Sequence, residues 1–163
     1  MEKFIYKSVD DIKNHLDKQQ YIADRSLSTS LFLSLKMNKP IFLEGEPGVG
    51  KTEVGKVLSK IMNAKLIRLQ CYEGLDVHNA IYEWNYSRQI LQIRLMEAGG
   101  QTNKEKITDE IFGSKFLIKR PLYKAIDHGG NIPPVLLIDE LDRADEEFEA
   151  FLLEILSDYQ ISI

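Results

Sequence analysis

Residues 45–52 have the types and spacing of a phosphate-binding loop. They read Gly-Glu-Pro-Gly-Val-Gly-Lys-Thr and match every fixed position of the pattern Gly-x-x-x-x-Gly-Lys-[Ser/Thr]. Glycines let the backbone curl tightly and turn its amide N–H groups inward, which forms a concave site for an anion. The residues predicted to contact a nucleotide here are Gly45, Glu46, Pro47, Gly48, Val49, Gly50, Lys51, Thr52 and Glu53.

Two side chains at the end of this loop carry separate chemistry. Lys51 can reach the β- and γ-phosphates as a positive point charge, and the Thr52 hydroxyl is placed to bind the Mg²⁺ that accompanies a nucleotide. A helix that begins near Lys51 would add the partial positive charge of its N-terminus to the same site. The alternative is a glycine turn with a chance lysine, but the apolar run before the loop and the helical spacing after it favour a phosphate site.

A second pair of reactive side chains, Asp139 and Glu140, follows a run of large aliphatic residues at 135–138. Such a run is typical of a central parallel strand that is buried on both faces. Ligands bind outside the carboxyl ends of parallel strands, so this pair is expected to face the phosphate loop. Asp139 would hold Mg²⁺ and Glu140 would orient the attacking water, which makes Lys51 and Glu140 the predicted catalytic residues. The alternative is an ordinary strand end with solvated acids.

The elements that must position these side chains alternate along the chain. A short apolar run at 41–43 predicts a strand before the loop, helical spacing continues from Lys51 to about Met62, and residues 65–71 predict a second strand. A strand, a helix and a second strand form a right-handed crossover unit. The sequence therefore predicts an α/β fold with a parallel sheet.

Further helices are expected before and after this unit. Ser8 begins a first helix, a second covers residues 24–37, and Asp145 caps a third that has a clean apolar face. The segment 72–131 is predicted to be mostly helical. Its last helix is expected to end at a glycine pair and to contain the apolar residues Phe116, Leu117, Leu122 and Ile126.

The composition suits one globular domain. The chain has 163 residues, a net charge of −4 and 44% hydrophobic residues, which excludes a mostly disordered chain. Its single cysteine, Cys71, cannot form an internal disulfide and is expected to pack in a strand. No apolar run approaches the roughly 20 residues of a membrane span. The sequence also has no stripe of basic residues of the kind that binds nucleic acid. We expect a cytoplasmic protein whose partners are neither membrane nor nucleic acid.

Four strings resemble the MoxR family of AAA+ ATPases, and most closely its branch that accompanies carbon monoxide dehydrogenase maturation. They are the phosphate loop, Leu-Gln-Cys-Tyr-Glu-Gly-Leu-Asp at 69–76, Tyr-Glu-Trp-Asn-Tyr at 82–86, and residues 133–158. The resemblance covers nearly the whole chain and implies a P-loop AAA+ fold, a three-layer sandwich with a parallel sheet. It assigns residues 1–163 to the N-terminal part of an ATP-binding domain, with ATP and Mg²⁺ as cofactors.

The resemblance also implies roles for individual positions. Tyr21 and Ile22 resemble the segment that packs on adenine, although both could instead seal the first helix onto the core. Gln70 resembles the polar residue that restrains the catalytic glutamate, and residues 75–94 correspond to a hairpin-like insertion that faces substrate or the ring pore. Arg143 could serve a neighbouring subunit's site or form an ion pair within its own helix.

The family's sequence continues beyond the last residue of this chain, into a strand with sensor 1, an arginine finger and a helical lid. The domain is therefore expected to be incomplete at its C-terminus. An arginine finger contributes about a thousandfold or more in rate, so we expect ATP binding with poor turnover. The family's strand order also places the missing strand between the strand at 41–43 and the strand that ends at Asp139, which would leave two unpaired edges.

These expectations together predict ATP binding and Mg²⁺-dependent ATP hydrolysis. The resemblance implies a ring, hexameric in the full-length protein, which drives chaperone-like remodelling or metal-cofactor maturation of a protein client, with a von Willebrand factor A domain partner. ATP is preferred to GTP because the sequence contains no Asn-Lys-x-Asp string. Two alternatives stay open. One is a nucleotide-responsive binding module or inactive fragment, and the other is a small-molecule kinase that would use Arg88, Arg94 and Arg120.

Overall fold

The computed structural model describes residues 6–100 and 103–158. The helices in this part of the chain are α1 (Val9–Lys18), α2 (Arg25–Met37), α3 (Lys51–Ile61), α4 (Val77–Ile81), α5 (Tyr86–Ala98), α6 (Lys104–Ile111), α7 (Pro121–Ile126) and α8 (Glu146–Asp158). The strands are β1 (Leu66–Gln70), β2 (Tyr82–Trp84), β3 (Leu117–Lys119) and β4 (Val135–Asp139). Short 3-10 turns precede β3 at Ser114–Phe116 and follow β4 at Leu141–Arg143. Within these ranges, no helix combines the length and the apolar character that crossing a membrane requires.

The predicted beginnings of three helices are confirmed. Ser8, Asp24 and Asp145 precede α1, α2 and α8, and each side chain accepts a hydrogen bond from the backbone N–H three residues further on, at 3.1, 2.7 and 2.9 Å. Each bond satisfies one of the amides that a helix leaves without a partner in its first turn. Short polar side chains before an apolar periodic segment were therefore a sufficient signal for these boundaries.

The sheet that carries the candidate site consists of β1 and β4, which pair in parallel with Gln70 opposite Asp139. Helices cover both faces of this pair. Val135 packs against a core cluster from α1, α2 and α3, whereas Leu136 and Ile138 pack against a second cluster that includes residues of α4, α7 and α8. This alternation follows from the period of two along a strand. The predicted three-layer α/β arrangement is confirmed.

Gly55 allows α3 to lie close against β4. A Cβ atom built on Gly55 would come within 3.2 Å of Leu137 Cδ1, which is tighter than ordinary van der Waals contact. Since α3 begins at Lys51, directly after the phosphate loop, this close packing sets the separation between the loop and the carboxyl end of β4.

The strand predicted at 41–43 is not formed. This segment is irregular in the structure. Ile41 and Leu43 pack against the cluster of α1, α2 and α3, while Phe42 is exposed. A strand needs a hydrogen-bonded neighbour, and the strand order implied by the resemblance places another strand between this segment and β4. The described residues do not supply that strand. For the same reason β4 lies at an edge and is only half-buried, although it was predicted to be central and buried on both faces.

The segment between β1 and β4 is mostly helical, as predicted, but it also contains an antiparallel pair formed by β2 and β3. The hairpin expected within residues 75–94 is wrong in its partner, because β2 pairs across α5 and α6 with β3. Phe116 and Leu117 lie in a 3-10 turn and in β3 rather than in a helix, whereas Leu122 and Ile126 do belong to α7. Strands of three residues are too short to show an alternating pattern in a sequence. From here on, the insertion means residues 82–119, in place of the range 75–94 that the resemblance implied.

Replacing Phe148 by alanine is expected to lower the free energy of unfolding by about 3 to 5 kcal/mol. Phe148 is fully buried in α8, inside the cluster that joins α8 to β1 and to the helices α4 and α7. Removal of the ring leaves a cavity that the surrounding side chains fill only in part. Urea unfolding followed by circular dichroism measures the loss.

Leu153→Ala is the matched control, because Leu153 lies on the same helix and is 71% exposed. Its free energy of unfolding should change by no more than about 0.5 kcal/mol. Equal losses in the two variants would contradict the packing of α8 on the sheet.

Candidate active site

The phosphate loop joins the irregular segment that ends at Glu44 to α3. Gly45, Gly48 and Gly50 have φ angles of 151°, 83° and 91°, a region that residues with side chains rarely adopt. Gly50 is the N-cap of α3, and none of the described side chains caps the first turn of this helix. The amides of that turn, together with the positive end of the helix dipole, suit an anionic ligand.

Lys51 is held over the loop by backbone oxygens. Its Nζ donates a hydrogen bond to the carbonyl oxygen of Glu46 at 2.7 Å and another to the carbonyl oxygen of Gly45. A phosphate oxygen carries a negative charge and is a stronger acceptor than a neutral carbonyl. The ammonium group is therefore positioned to exchange these neutral partners for a charged one.

The structure brings the end of the loop to the end of β4. The Thr52 hydroxyl oxygen lies 3.3 Å from Asp139 Oδ1 and 3.2 Å from Asp139 Oδ2, although the two residues are 87 positions apart in sequence. Hydroxyl and carboxylate oxygens are the ligands that Mg²⁺ prefers, and this ion usually keeps several waters and binds phosphate oxygens as well. The donor set therefore fits Mg²⁺. In the part of the chain that the structure covers, no group of three or more His, Cys, Asp or Glu residues is arranged to hold a metal ion.

Asp139 has a further partner that the sequence patterns did not reveal. Arg68 Nη2 lies 2.6 Å from Asp139 Oδ2 and also donates to Gln70 Oε1 at 2.6 Å. The signal that could have found it is a charged residue inside the apolar strand β1, two positions before Gln70 and therefore on the same face. The predicted role of Gln70, restraint of Glu140, stays a prediction.

Glu140 directly follows β4 and has φ 54° and ψ 44°, the left-handed region. This conformation is uncommon for a residue with a side chain, and such residues cluster at functional sites. Glu140 Oε2 accepts a hydrogen bond from Arg143 Nη1 at 2.9 Å. Of the two alternatives for Arg143, the structure therefore contains the local ion pair.

The environment around the end of β4 favours a cation. Cys71 is fully buried there, and its backbone N–H donates to the carbonyl oxygen of Asp139 at 2.8 Å. The pKa of the Cys71 thiol is raised, first by burial and then by the carboxylates of Asp139, Asp142 and Glu140. The charge of these carboxylates, which Arg68 and Arg143 offset in part, opposes formation of a thiolate and favours a cation nearby.

Tyr21 and Ile22 lie in the connection between α1 and α2 and differ in their surroundings. Tyr21 packs against the first core cluster and lies beside the loop, since a Cβ atom built on Gly50 would be 3.7 Å from Tyr21 Cε2. The pKa of the Tyr21 phenol is raised by burial and then by the charges of Asp24 and Glu53. Ile22 is 93% exposed. Sealing of the first helix therefore applies to Tyr21 alone, and the adenine contact stays a prediction for both residues.

Comparison with known families gives a match over most of the chain. The family described as AAA domain (dynein-related subfamily) matches residues 40–163, which include the loop, both paired strands of the sheet and the insertion. No solved structure matches the chain.

Curated relatives are distant and considerably longer. A Lon protease of Clostridium beijerinckii is 24% identical over 168 aligned positions, which cover 95% of this chain and 18% of that protein. An uncharacterized protein of Staphylococcus epidermidis is 30% identical over 112 positions, with 69% of this chain and 34% of that protein covered. A second uncharacterized protein, from Staphylococcus haemolyticus, is 27% identical over 131 positions, with 80% and 41% covered. The chain therefore spans less than half the length of each of these relatives.

Proposed function

Because this chain belongs to the AAA domain family, in its dynein-related subfamily, we propose that it binds ATP together with Mg²⁺ between the phosphate loop and the end of β4. The observation that carries the proposal is the 3.2 Å approach of the Thr52 hydroxyl to the Asp139 carboxylate. It places two hard oxygen ligands beside the uncapped first turn of α3. The phosphates and their metal would therefore bind next to each other.

Each residue of the site has a separate role in this proposal. The loop amides and Lys51 would bind the phosphate oxygens, while Thr52 and Asp139 would hold the metal. Bound there, Mg²⁺ would neutralise negative charge on the phosphate oxygens. Glu140 accepts the proton of the attacking water and orients that water toward the terminal phosphate. The reaction proposed for the site is therefore ATP hydrolysis.

We also propose the finer assignments that the MoxR resemblance implies. These are the branch that accompanies carbon monoxide dehydrogenase maturation, a hexameric ring, chaperone-like or metal-cofactor work on a protein client, a von Willebrand factor A domain partner and a cytoplasmic location. Their support is the pair of strings at 69–76 and 82–86, together with the position of the insertion between α4 and α7.

Isothermal titration of the 163-residue chain tests the proposal directly. With Mg²⁺ present, ATP should bind at least about tenfold more tightly than in EDTA, because Thr52 and Asp139 add ligands that only the metal complex can use. GTP should bind more weakly than ATP. Absence of ATP binding would contradict the proposed site, and equal affinity for GTP would contradict the preference for adenine.

A phosphate-release assay separates the alternatives. Inorganic phosphate formed from ATP without an added acceptor supports hydrolysis and disfavours a small-molecule kinase. Tight binding with no phosphate above that from ATP alone supports a nucleotide-responsive binding module.

A further inference from the structure

We propose that Arg68 competes with Mg²⁺ for Asp139: its guanidinium holds the carboxylate while no metal is bound and releases it when the metal binds. Arg68 is then a positioning residue that sets how much Mg²⁺ the site requires. This inference rests on the proposed function, because it assumes that Asp139 is a metal carboxylate.

Arg68 and Thr52 both contact the same oxygen atom of Asp139. Arg68 Nη2 lies 2.6 Å from Asp139 Oδ2, and the Thr52 hydroxyl lies 3.2 Å from the same atom. A divalent cation between Thr52 and Asp139 would face the guanidinium charge at very short range. Like charges at such distances repel strongly where water is partly excluded, and the Asp139 side chain is only 18% exposed. The two cations therefore repel each other and compete for this carboxylate.

Gln70 explains why the guanidinium stays at this position. Its side-chain oxygen accepts a hydrogen bond of 2.6 Å from the same Nη2 that contacts Asp139. Arg68 and Gln70 are two positions apart in β1 and share a face, and Gln70 lies directly opposite Asp139 in the sheet. The strand register therefore aims Arg68 at Asp139, and Gln70 fixes the orientation of the fork.

The surroundings also offer the released arginine a place. An open cleft of about 400 Å³ is lined by Arg68, Gln70, Tyr72, Asn79, Glu83 and Arg120, among others. Glu83 lies at the base of the insertion, where its carboxylate pairs with Arg120. A guanidinium that leaves Asp139 can turn into this cleft and use the Glu83 carboxylate as a second acceptor. Metal binding would then be felt at the strands that anchor the insertion.

The test is a Mg²⁺ titration at a fixed concentration of a non-hydrolysable ATP analogue, using the full chain. Nucleotide binding is followed by calorimetry, and Trp84 fluorescence reports on the base of the insertion, since the chain has one tryptophan. In Arg68→Gln the Mg²⁺ concentration for half-maximal binding should fall about three- to tenfold, the range expected for one partly exposed charge-assisted pair. Arg68→Lys, which keeps the charge but loses the fork, should lie between the parent and Arg68→Gln.

Arg25→Gln is the matched control, because it removes the same charge from an exposed position at the start of α2. Its Mg²⁺ midpoint should stay within about twofold of the parent's, since surface charges at a distance are screened. An unchanged or higher midpoint in folded Arg68→Gln overturns the inference. If Arg68→Gln does not fold, a midpoint for Arg68→Lys equal to the parent's overturns it instead.

The proposed function and this inference fail in different ways. If the parent chain binds no nucleotide, the proposed function fails and the inference fails with it. If the parent binds the analogue in a manner that requires both Lys51 and Mg²⁺, but the midpoint does not move in the Arg68 variants, only the inference is wrong.

Discussion

Lys51→Ala is expected to weaken ATP binding by about 100-fold, because the ammonium is proposed to form charge-assisted hydrogen bonds to two phosphates. Each such bond contributes about 1.5 kcal/mol or more, and about 3 kcal/mol in total corresponds to a factor near 100 in the dissociation constant. The ammonium already lies over the loop, where it donates to the carbonyl oxygens of Gly45 and Glu46. Isothermal titration with Mg²⁺ and ATP measures the loss.

Lys60→Ala is the control for this variant, because it removes the same charge from the last turn of α3, at the opposite end of the helix from the loop. Thermal unfolding of both variants shows whether the fold is destabilised when the carbonyl oxygens of the loop lose Lys51 as a hydrogen-bond donor. A folded Lys51→Ala chain that binds ATP as tightly as the parent would mean that the loop does not hold the phosphates.

The parts of the site that could be predicted from the sequence are those with local signals. The phosphate loop is one continuous segment, and its three glycines with positive φ are the positions at which the pattern requires glycine. A general rule, that ligands bind at the carboxyl ends of parallel strands, predicts that Asp139 and Glu140 lie beside the loop. The contact between Thr52 and Asp139 is the geometry that this rule leads one to expect.

The features that could not be predicted depend on partners distant in sequence. A strand at 41–43 was a sound expectation from propensity, but a strand forms only with a neighbour, and none of the described segments pairs with it. β2 and β3 find each other across two helices, and each is too short to carry a periodic signal. The sequence does not single out Arg68, because its partner Asp139 is 71 positions away and meets it only through the register of β1 and β4.

The same register brings the proposed metal site and the Arg68 contact to one carboxylate. Asp139 is contacted by Thr52 from α3 and by Arg68 from β1. The first contact brings the carboxylate to the phosphate loop, and the second connects it to the cleft that reaches Glu83 in the insertion. Both contacts include Oδ2, so a metal bound at this oxygen would disturb both of them.

Glu140→Gln is expected to slow ATP hydrolysis by about 10²- to 10⁴-fold, the usual contribution of a general base, while ATP binding stays within about threefold of the parent. Glutamine has the shape of glutamate and can still accept a hydrogen bond from Arg143, which lies 2.9 Å from Glu140 Oε2. It cannot accept the proton of the attacking water. Single-turnover phosphate release with labelled ATP gives the rate, and calorimetry gives the affinity.

Glu147→Gln controls for the loss of one negative charge, because Glu147 is exposed in the first turn of α8. Its hydrolysis rate should equal the parent's within about twofold, since a screened surface charge contributes little. Slow hydrolysis in Glu140→Gln with unchanged binding separates the chemical step from nucleotide binding, which Lys51→Ala weakens. If Glu140→Gln releases phosphate as fast as the parent, the base lies elsewhere, and the left-handed backbone at Glu140 does not serve to aim its carboxylate at the water.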